Sequence, residues 1–209
     1  IDFSQIDIEV RRNSGIDLET YKAQQDRVKK ILDEDYEKAL NFFERMIIAA
    51  ASAVAEKNDD ELKALGVAIN VPTAPFPRFR LDEITARFGK QQAEAKAALE
   101  CDSQFYWITG LLRENYDLIY PYLNADGSKR VLKDLPSTCI YNYDICARSL
   151  VRSTNSYSPA IEIFSGGLRE WLFEPIVERL LDNRIIPQRP IFENGEIVNI
   201  ADLDGYGPF

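Results

Sequence analysis

The chain has 209 residues, 45% hydrophobic and 28% charged, with 11 Phe, 10 Tyr and 2 Trp, which is enough apolar material for a folded domain and excludes a disordered segment. It contains no histidine, so no Ser-His-Asp triad, Cys-His dyad, His-ligated zinc or iron site or histidine general base can be built from it. The formal charge of −9 argues against broad wrapping of nucleic acid, although one arginine or one bound cation can invert the sign locally.

The run Asp2-Phe-Ser-Gln-Ile-Asp-Ile-Glu-Val10 alternates strictly. Ile6, Ile8 and Val10 share one face; Gln5, Asp7 and Glu9 share the other, so a half-buried strand with an acidic second face is expected. After a turn at Arg11–Gly15, Asp17 caps a long helix. Val28, Ile31, Leu32, Tyr36, Leu40 and Phe43 recur at helical spacing, and the stripe runs to about Glu56. Asn58–Asp60 breaks it, and Glu61–Leu65 adds another helical turn. Three prolines between Val71 and Pro77 require an extended connector. Asp82 opens a helix that runs through Gly89 to about Glu100. Strands are expected at Gln104–Thr109, Leu118–Tyr122, Thr138–Ala147 and Ala160–Ser165. A tight turn falls at Asn124–Gly127 and a polar loop at Arg148–Ser158. Leu168–Leu181 reads as a helix, and Asn194-Gly195 marks a hairpin within Ile191–Ile200. Strands separated by turns, with helices between them, predict an α+β domain: an antiparallel β-sheet flanked by helices.

Acidic residues on these strands are the first candidates for chemistry. Asp7 and Glu9 share a face, Asp144 lies in Tyr-Asn-Tyr-Asp-Ile-Cys, and Glu162 sits between two isoleucines expected to face the core. Acids on an open sheet face suit a hard cation such as Mg²⁺, or an ammonium group; the plain alternative is a solvated sheet face. Ser165-Gly-Gly-Leu-Arg169 joins a strand to a helix. Its glycines would let a ligand approach the backbone, and Arg169 could fork onto a carboxylate or amide oxygen. The plain alternative is a turn with Arg169 paired to Glu170 or Glu174. The aromatic cluster around Phe105-Tyr-Trp107 is expected in the core rather than stacked on a base. Cys101, Cys139 and Cys146 form no Cys-x-x-Cys pair and read as free, buried thiols in a reducing, cytoplasmic compartment. No apolar run reaches the ~18 residues of a membrane span. The chain begins at Ile1 without Met or a signal-peptide pattern, and a piece of a longer protein is expected.

In this order the segments resemble the catalytic domain of class II aminoacyl-tRNA synthetases of the aspartyl/asparaginyl/lysyl subclass. Asp2-Phe-Ser-Gln-Ile-Asp-Ile-Glu9 is similar to the strand that closes motif 2. Phe76-Pro-Arg-Phe-Arg-Leu-Asp-Glu83 is similar to the Pro-Arg stretch that opens a helix in the family. Tyr143-Asp-Ile145 is similar to its Phe-Asp-Leu strand, and Glu162-Ile-Phe-Ser-Gly-Gly-Leu-Arg-Glu170 to its Glu-Ile-x-(Ser/Gly)-Gly-x-Gln-Arg run. The first and last matches are the specific ones. The resemblance implies one partial catalytic domain over residues 1–209, running from late motif 2 to just before motif 3, with a long helical insertion at about 17–66.

What the resemblance implies for the residues is as follows. Asp7 would hold the α-ammonium of the amino acid. Asp144 and Glu162 would bind the Mg²⁺ that bridges ATP phosphates, with Ser165 nearby in the amino-acid site. Arg169 would read the substrate's side-chain oxygen; Glu162 and Arg169 would be the catalytic pair. The reaction would be activation of aspartate or asparagine by ATP and transfer to tRNA. The implied partners are that amino acid and a tRNA held mostly by regions outside this chain, in a homodimeric full-length protein with no membrane association. The fragment alone is expected to be inactive, because the arginines that clamp ATP lie outside it. Gln5-Ile-Asp-Ile-Glu9 leans toward the aspartyl group and Arg169-Glu170 toward the asparaginyl group, with aspartyl ranked ahead. Leu168 replaces the family's Gln, an extra loop (148–158) separates Asp144 from Glu162, and the Asn194-Gly195 hairpin is an addition. These departures keep two alternatives open: a tRNA-independent, asparagine-synthetase-like amino-acid ligase, and a non-catalytic synthetase-like binding module.

Overall fold

The computed structural model describes residues 18–121, 135–170 and 173–200. The expected strand at 2–10, with Asp7 and Glu9, and the turn at Asn124–Gly127 lie outside the described residues.

Helix α1 (Leu18–Lys57) is 40 residues long, about 60 Å at 1.5 Å per residue. Val28, Leu32, Leu40, Ile47 and Ala51 form its buried stripe. It ends one residue before Asn58, and a short exposed helix, α2 (Asp59–Ala64), follows. After β1 (Val67–Ala68) and the proline connector come β2 (Arg78–Arg80) and two helices, α3 (Leu81–Phe88) and α4 (Ala93–Glu100). One continuous helix is expected here, but Gly89 takes φ +80° and closes α3, so the chain turns before α4 begins.

The central sheet has the order β2–β3–β4–β7, with β3 at Phe105–Thr109, β4 at Asn142–Ala147 and β7 at Ile161–Gly167. β3–β4 and β4–β7 are antiparallel, but β2–β3 is parallel. The sheet is therefore mixed rather than purely antiparallel, because α3 and α4 form a crossover that returns the chain in the same direction. The expected 148–158 loop contains a hairpin: β5 (Leu150–Val151) pairs with β6 (Ser156–Tyr157) and with β1 in a second, three-stranded sheet. The strand expected at Leu118–Tyr122 is reduced, among the described residues, to isolated bridges, Ile119 to Ile140 and Asp117 to Arg169. Thr138–Cys139 belong to a short 3₁₀ turn, so β4 starts only at Asn142. Helix α5 (Phe173–Asp182) begins later than expected, since Arg169 stays extended in its bridge. A final hairpin, β8 (Phe192–Glu193) and β9 (Glu196–Ile197), turns at Asn194-Gly195 as expected.

Both faces of the sheet are covered over β3 and β4. On one, Leu40 and Ile47 of α1 pack on Phe76, Trp107, Tyr143 and Ile145. On the other, Ile84, Ala93 and Ala97 pack on Tyr106, Ile108, Leu111 and Cys146. Tyr106 and Trp107 of the aromatic cluster and the three free cysteines are buried, as their types suggest, and Phe105 is half-buried.

Two buried polar side chains lock these layers. Glu44 of α1 accepts the indole N–H of Trp107 at 2.8 Å and the backbone N–H of Phe76 at 3.1 Å. Arg148 donates to the carbonyls of Ala98 (2.5 Å), Cys101 (2.6 Å) and Ser103, and its guanidinium lies 4.2 Å from the Tyr157 ring. Ala98 and Cys101 sit at the C-terminal end of α4, where carbonyls lack helical partners and favour a cation.

Candidate functional site

The site is built along one face of β4 and β7. Residues directly opposite on an antiparallel ladder point to the same side. Asp144 lies opposite Ser165, Asn142 opposite Gly167 and Cys146 opposite Glu162. The last pairing depends on a register shift at Ile145/Cys146, which leaves Ile163 without an opposite residue. Arg169 follows Ser165 and Gly167 at intervals of two. Asp144, Glu162, Ser165 and Arg169 therefore share this side of the sheet, while Asp7 lies outside the described residues.

The isoleucines flanking Glu162 do not face the core: Ile161 is 64% and Ile163 46% exposed. Among the described residues β7 is the last strand of its sheet, so its outer flank meets no neighbouring strand. Asp144, in contrast, is not on an open face. It is 4% exposed, covered by the segment that follows β3.

Arg113, which sequence reasoning passed over, ties the acids together. Its Nη2 pairs with Asp144 Oδ2 and lies 3.6 Å from Glu162 Oε2. Asp144 Oδ1 is buried with no hydrogen-bond partner among the described residues. The donor set suits a hard divalent cation: two carboxylates, one with an orphaned oxygen, and a serine hydroxyl across the ladder. Among the described residues no three His, Cys, Asp or Glu side chains gather to hold a metal. A cation here would complete its shell with phosphate and water, and would share the two carboxylates with Arg113.

Arg169 forms the other pole. Its Nη1 pairs with Asp117 Oδ1, and its guanidinium carbon lies 4.7 Å from the centroid of the Tyr116 ring. The pairing with Glu170 weighed from sequence is replaced, since Glu170 is buried against Arg179 at 3.5 Å. Asp117 is fully buried, and its Oδ2 accepts the backbone N–H groups of Arg113 and Glu114, both at 2.9 Å. The segment 113–117 is thus pinned through one carboxylate and spans both poles: Asp117 meets Arg169, and the Arg113 side chain meets Asp144 and Glu162. Arg179 of α5 secures the same segment by donating to the carbonyls of Asn115 (2.8 Å) and Asp117. A signal for Asp117 was present in the sequence. It is a lone acid in the apolar run Tyr116-Asp-Leu-Ile-Tyr120, the pattern that drew attention to Glu162.

The glycines after Ser165 serve the protein's own side chains. A Cβ on Gly167 would overlap Asn142 Oδ1, and one on Gly166 would lie 2.7 Å from the Tyr143 hydroxyl. They admit β4 side chains instead of opening the backbone to a ligand, and they do not sit at a helix start, because the chain stays extended after them in the Asp117–Arg169 bridge.

Comparison with known proteins points to one class, the aminoacyl-tRNA ligases, at a distance. The chain is 27% identical over 162 residues to the aspartate–tRNA(Asp) ligase of Pyrococcus abyssi (strain GE5 / Orsay), covering 74% of this chain and 34% of that protein. It is 27% identical over 158 residues to the corresponding ligase of Thermococcus kodakarensis, with the same coverage. A shorter match of 36% over 75 residues, 35% of this chain and 16% of the other, is to the aspartate–tRNA(Asp/Asn) ligase of Natronomonas pharaonis. The chain therefore spans 34% of the length of the longer-matching relatives. No family model matches it. Among the described residues no helix is long and apolar enough to cross a membrane.

Proposed function

We propose that this chain is part of the catalytic domain of an ATP-dependent ligase of the class II aminoacyl-tRNA synthetase type, acting in the cytoplasm. In this reading it activates aspartate or asparagine as the aminoacyl-adenylate and passes it to tRNA. The observation that supports the reading best is the placement of Asp144, Glu162, Ser165 and Arg169 on one sheet face. They occur within a chain whose distant relatives are aspartate–tRNA ligases over 74% of its length.

The amino-acid carboxylate attacks the α-phosphate of ATP, pyrophosphate leaves, and the adenylate then esterifies the tRNA 3′ end. Asp144 and Glu162 would hold Mg²⁺, which supplies charge neutralisation at the ATP phosphates. Asp7 would bind the substrate's ammonium group, with Ser165 beside it, and Arg169 would bind its side-chain oxygen. Such a site works by positioning and charge, so the lack of histidine is no obstacle. The whole protein would be a homodimer, with tRNA bound mostly through other regions.

Pyrophosphate exchange into ATP, run on the whole protein with aspartate and with asparagine, tests this directly. Exchange with neither amino acid would sink the reading. Glu162→Gln should abolish most exchange at limiting Mg²⁺ while leaving the fold intact; wild-type exchange in that variant removes the metal assignment.

A second reading is favoured by the β5–β6 hairpin, a folded insertion between Asp144 and Glu162 that pairs with β1. In it the same adenylate chemistry serves a tRNA-independent ligase acting on a free amino acid. Aminoacylation of tRNA separates the two: exchange without tRNA charging selects the second.

A further inference from the structure

Arg113 is in direct contact with both acids of the candidate cation site. Its Nη2 pairs with Asp144 Oδ2 and lies 3.6 Å from Glu162 Oε2. The other guanidinium groups nearby are engaged elsewhere, Arg169 with Asp117 and Arg179 with Glu170. A monovalent cation held beside two carboxylates lowers their attraction for a divalent one.

Neither partner can give the contact up cheaply. Asp144 is 4% exposed, and its Oδ1 already has no hydrogen-bond partner among the described residues, so losing Arg113 would leave a buried carboxylate unpaired. The backbone of Arg113 cannot retreat either, because its N–H and that of Glu114 are held by the buried Asp117 Oδ2, both at 2.9 Å. Arg113 is therefore a standing part of the site. A divalent cation sharing its two acids needs further negative charge to be held tightly, and phosphate oxygens supply that charge.

The same guanidinium has donors to spare. Its Nε and Nη1 make no hydrogen bond among the described residues, and the side chain is 36% exposed. A guanidinium presents several N–H groups in a rigid fork that fits phosphate oxygens as well as carboxylates. One arginine can therefore bind the acids with one nitrogen and a phosphate with the others.

We propose, on the ligase reading above, that Arg113 couples the metal to the nucleotide. It opposes a divalent cation bound alone, and it donates to the triphosphate when cation and nucleotide bind together. The more distant charges are the same with and without the Arg113 side chain, so its removal changes each affinity through direct contact.

The test uses the whole protein and two probes: Mn²⁺ alone, read by electron paramagnetic resonance, and Mg·ATP at saturating Mg²⁺, read by calorimetry. Arg113→Gln should bind Mn²⁺ at least about tenfold more tightly than the wild type and Mg·ATP at least about tenfold more weakly. Arg113→Lys keeps the charge without the fork, so it should bind Mn²⁺ as the wild type does and recover only part of the Mg·ATP affinity. An arginine with a merely structural role would weaken both probes on removal. That result overturns the proposal, as does an unchanged affinity of Arg113→Gln for either probe. If Arg113→Gln does not fold, the wild type decides: the Arg113 Nε resonance, assigned by its loss in Arg113→Lys, should shift on addition of Mg·ATP, and an unmoved resonance overturns the coupling. These failures leave the ligase reading intact as long as the wild type supports pyrophosphate exchange. A wild type that binds neither probe and exchanges with neither amino acid overturns both.

Discussion

Two buried or partly buried arginines lie in the same domain and do opposite things. Arg148 is 7% exposed, and its guanidinium is spent on the carbonyls of Ala98, Cys101 and Ser103. Arg169 is nearly half exposed, with one carboxylate partner and an aromatic face behind it. The acids divide in the same way. Glu44 is sealed beneath α1, holding Trp107 and Phe76, whereas Glu162 stands at the surface beside Arg113. A charged group surrounded by backbone and indole donors or acceptors holds layers together. A charged group with one partner and an open edge is available to a ligand.

The contrast yields expectations for stability, measured by urea unfolding. Arg148→Met should cost most, about 3 to 4 kcal/mol, because three carbonyls lose their donor in a buried place. A loss below about 1 kcal/mol would remove Arg148 from the structural class. Gly167→Ala comes next, at about 2 to 3 kcal/mol, since its Cβ would overlap Asn142 Oδ1 and the neighbouring backbone of Tyr141. Glu44→Gln should cost about 1 to 2 kcal/mol, because an amide oxygen can still accept from Trp107 and Phe76.

A smaller effect belongs to Asp82. Burial pushes its carboxyl up, but the hydrogen bonds from Arg80 and from the Ser137 backbone and hydroxyl outweigh this and hold it at about 2, below the usual 3.8. Its stabilising contribution is therefore complete above about pH 4 and disappears as the pH falls toward 2. Asp82→Asn should flatten that part of the acid-stability curve; an unaltered curve would show that these contacts do not matter to folding. Glu162→Gln should change stability least, within about 0.5 kcal/mol, as expected for an exposed acid. Its effect belongs instead to Mn²⁺ affinity, read by electron paramagnetic resonance, which should weaken. A large stability loss with unchanged Mn²⁺ binding would move Glu162 into the class of Glu44.

Much of the domain was legible locally. The α1 stripe, the proline connector, the β3 and β7 strands and the Asn194-Gly195 hairpin follow from periodicity and turn chemistry, which act over a few residues. Gly89 was legible in type but not in consequence: a glycine inside a helical pattern can be tolerated, and only its φ of +80° shows that it ends the helix. Leu168 and Arg169 looked helical because the apolar spacing that follows them is helical. The competing bridge to Asp117 comes from a segment about fifty residues earlier in sequence, and it keeps them extended.

Residue type and spacing alone thus settled that the chain folds as α+β, that histidine chemistry is excluded from it, and that Asp144, Glu162 and Arg169 are its candidate chemical groups. Tertiary structure alone decided the sheet's mixed direction, the burial of Asp144, and the arrival of Arg113 and Asp117 as partners of the acids and of Arg169. The reason is physical. Helix and strand periods are short-range properties of the backbone, while the charge of a guanidinium is balanced by whichever carboxylate the fold brings to it. That pairing depends on loop closure across the sheet, which no local pattern encodes.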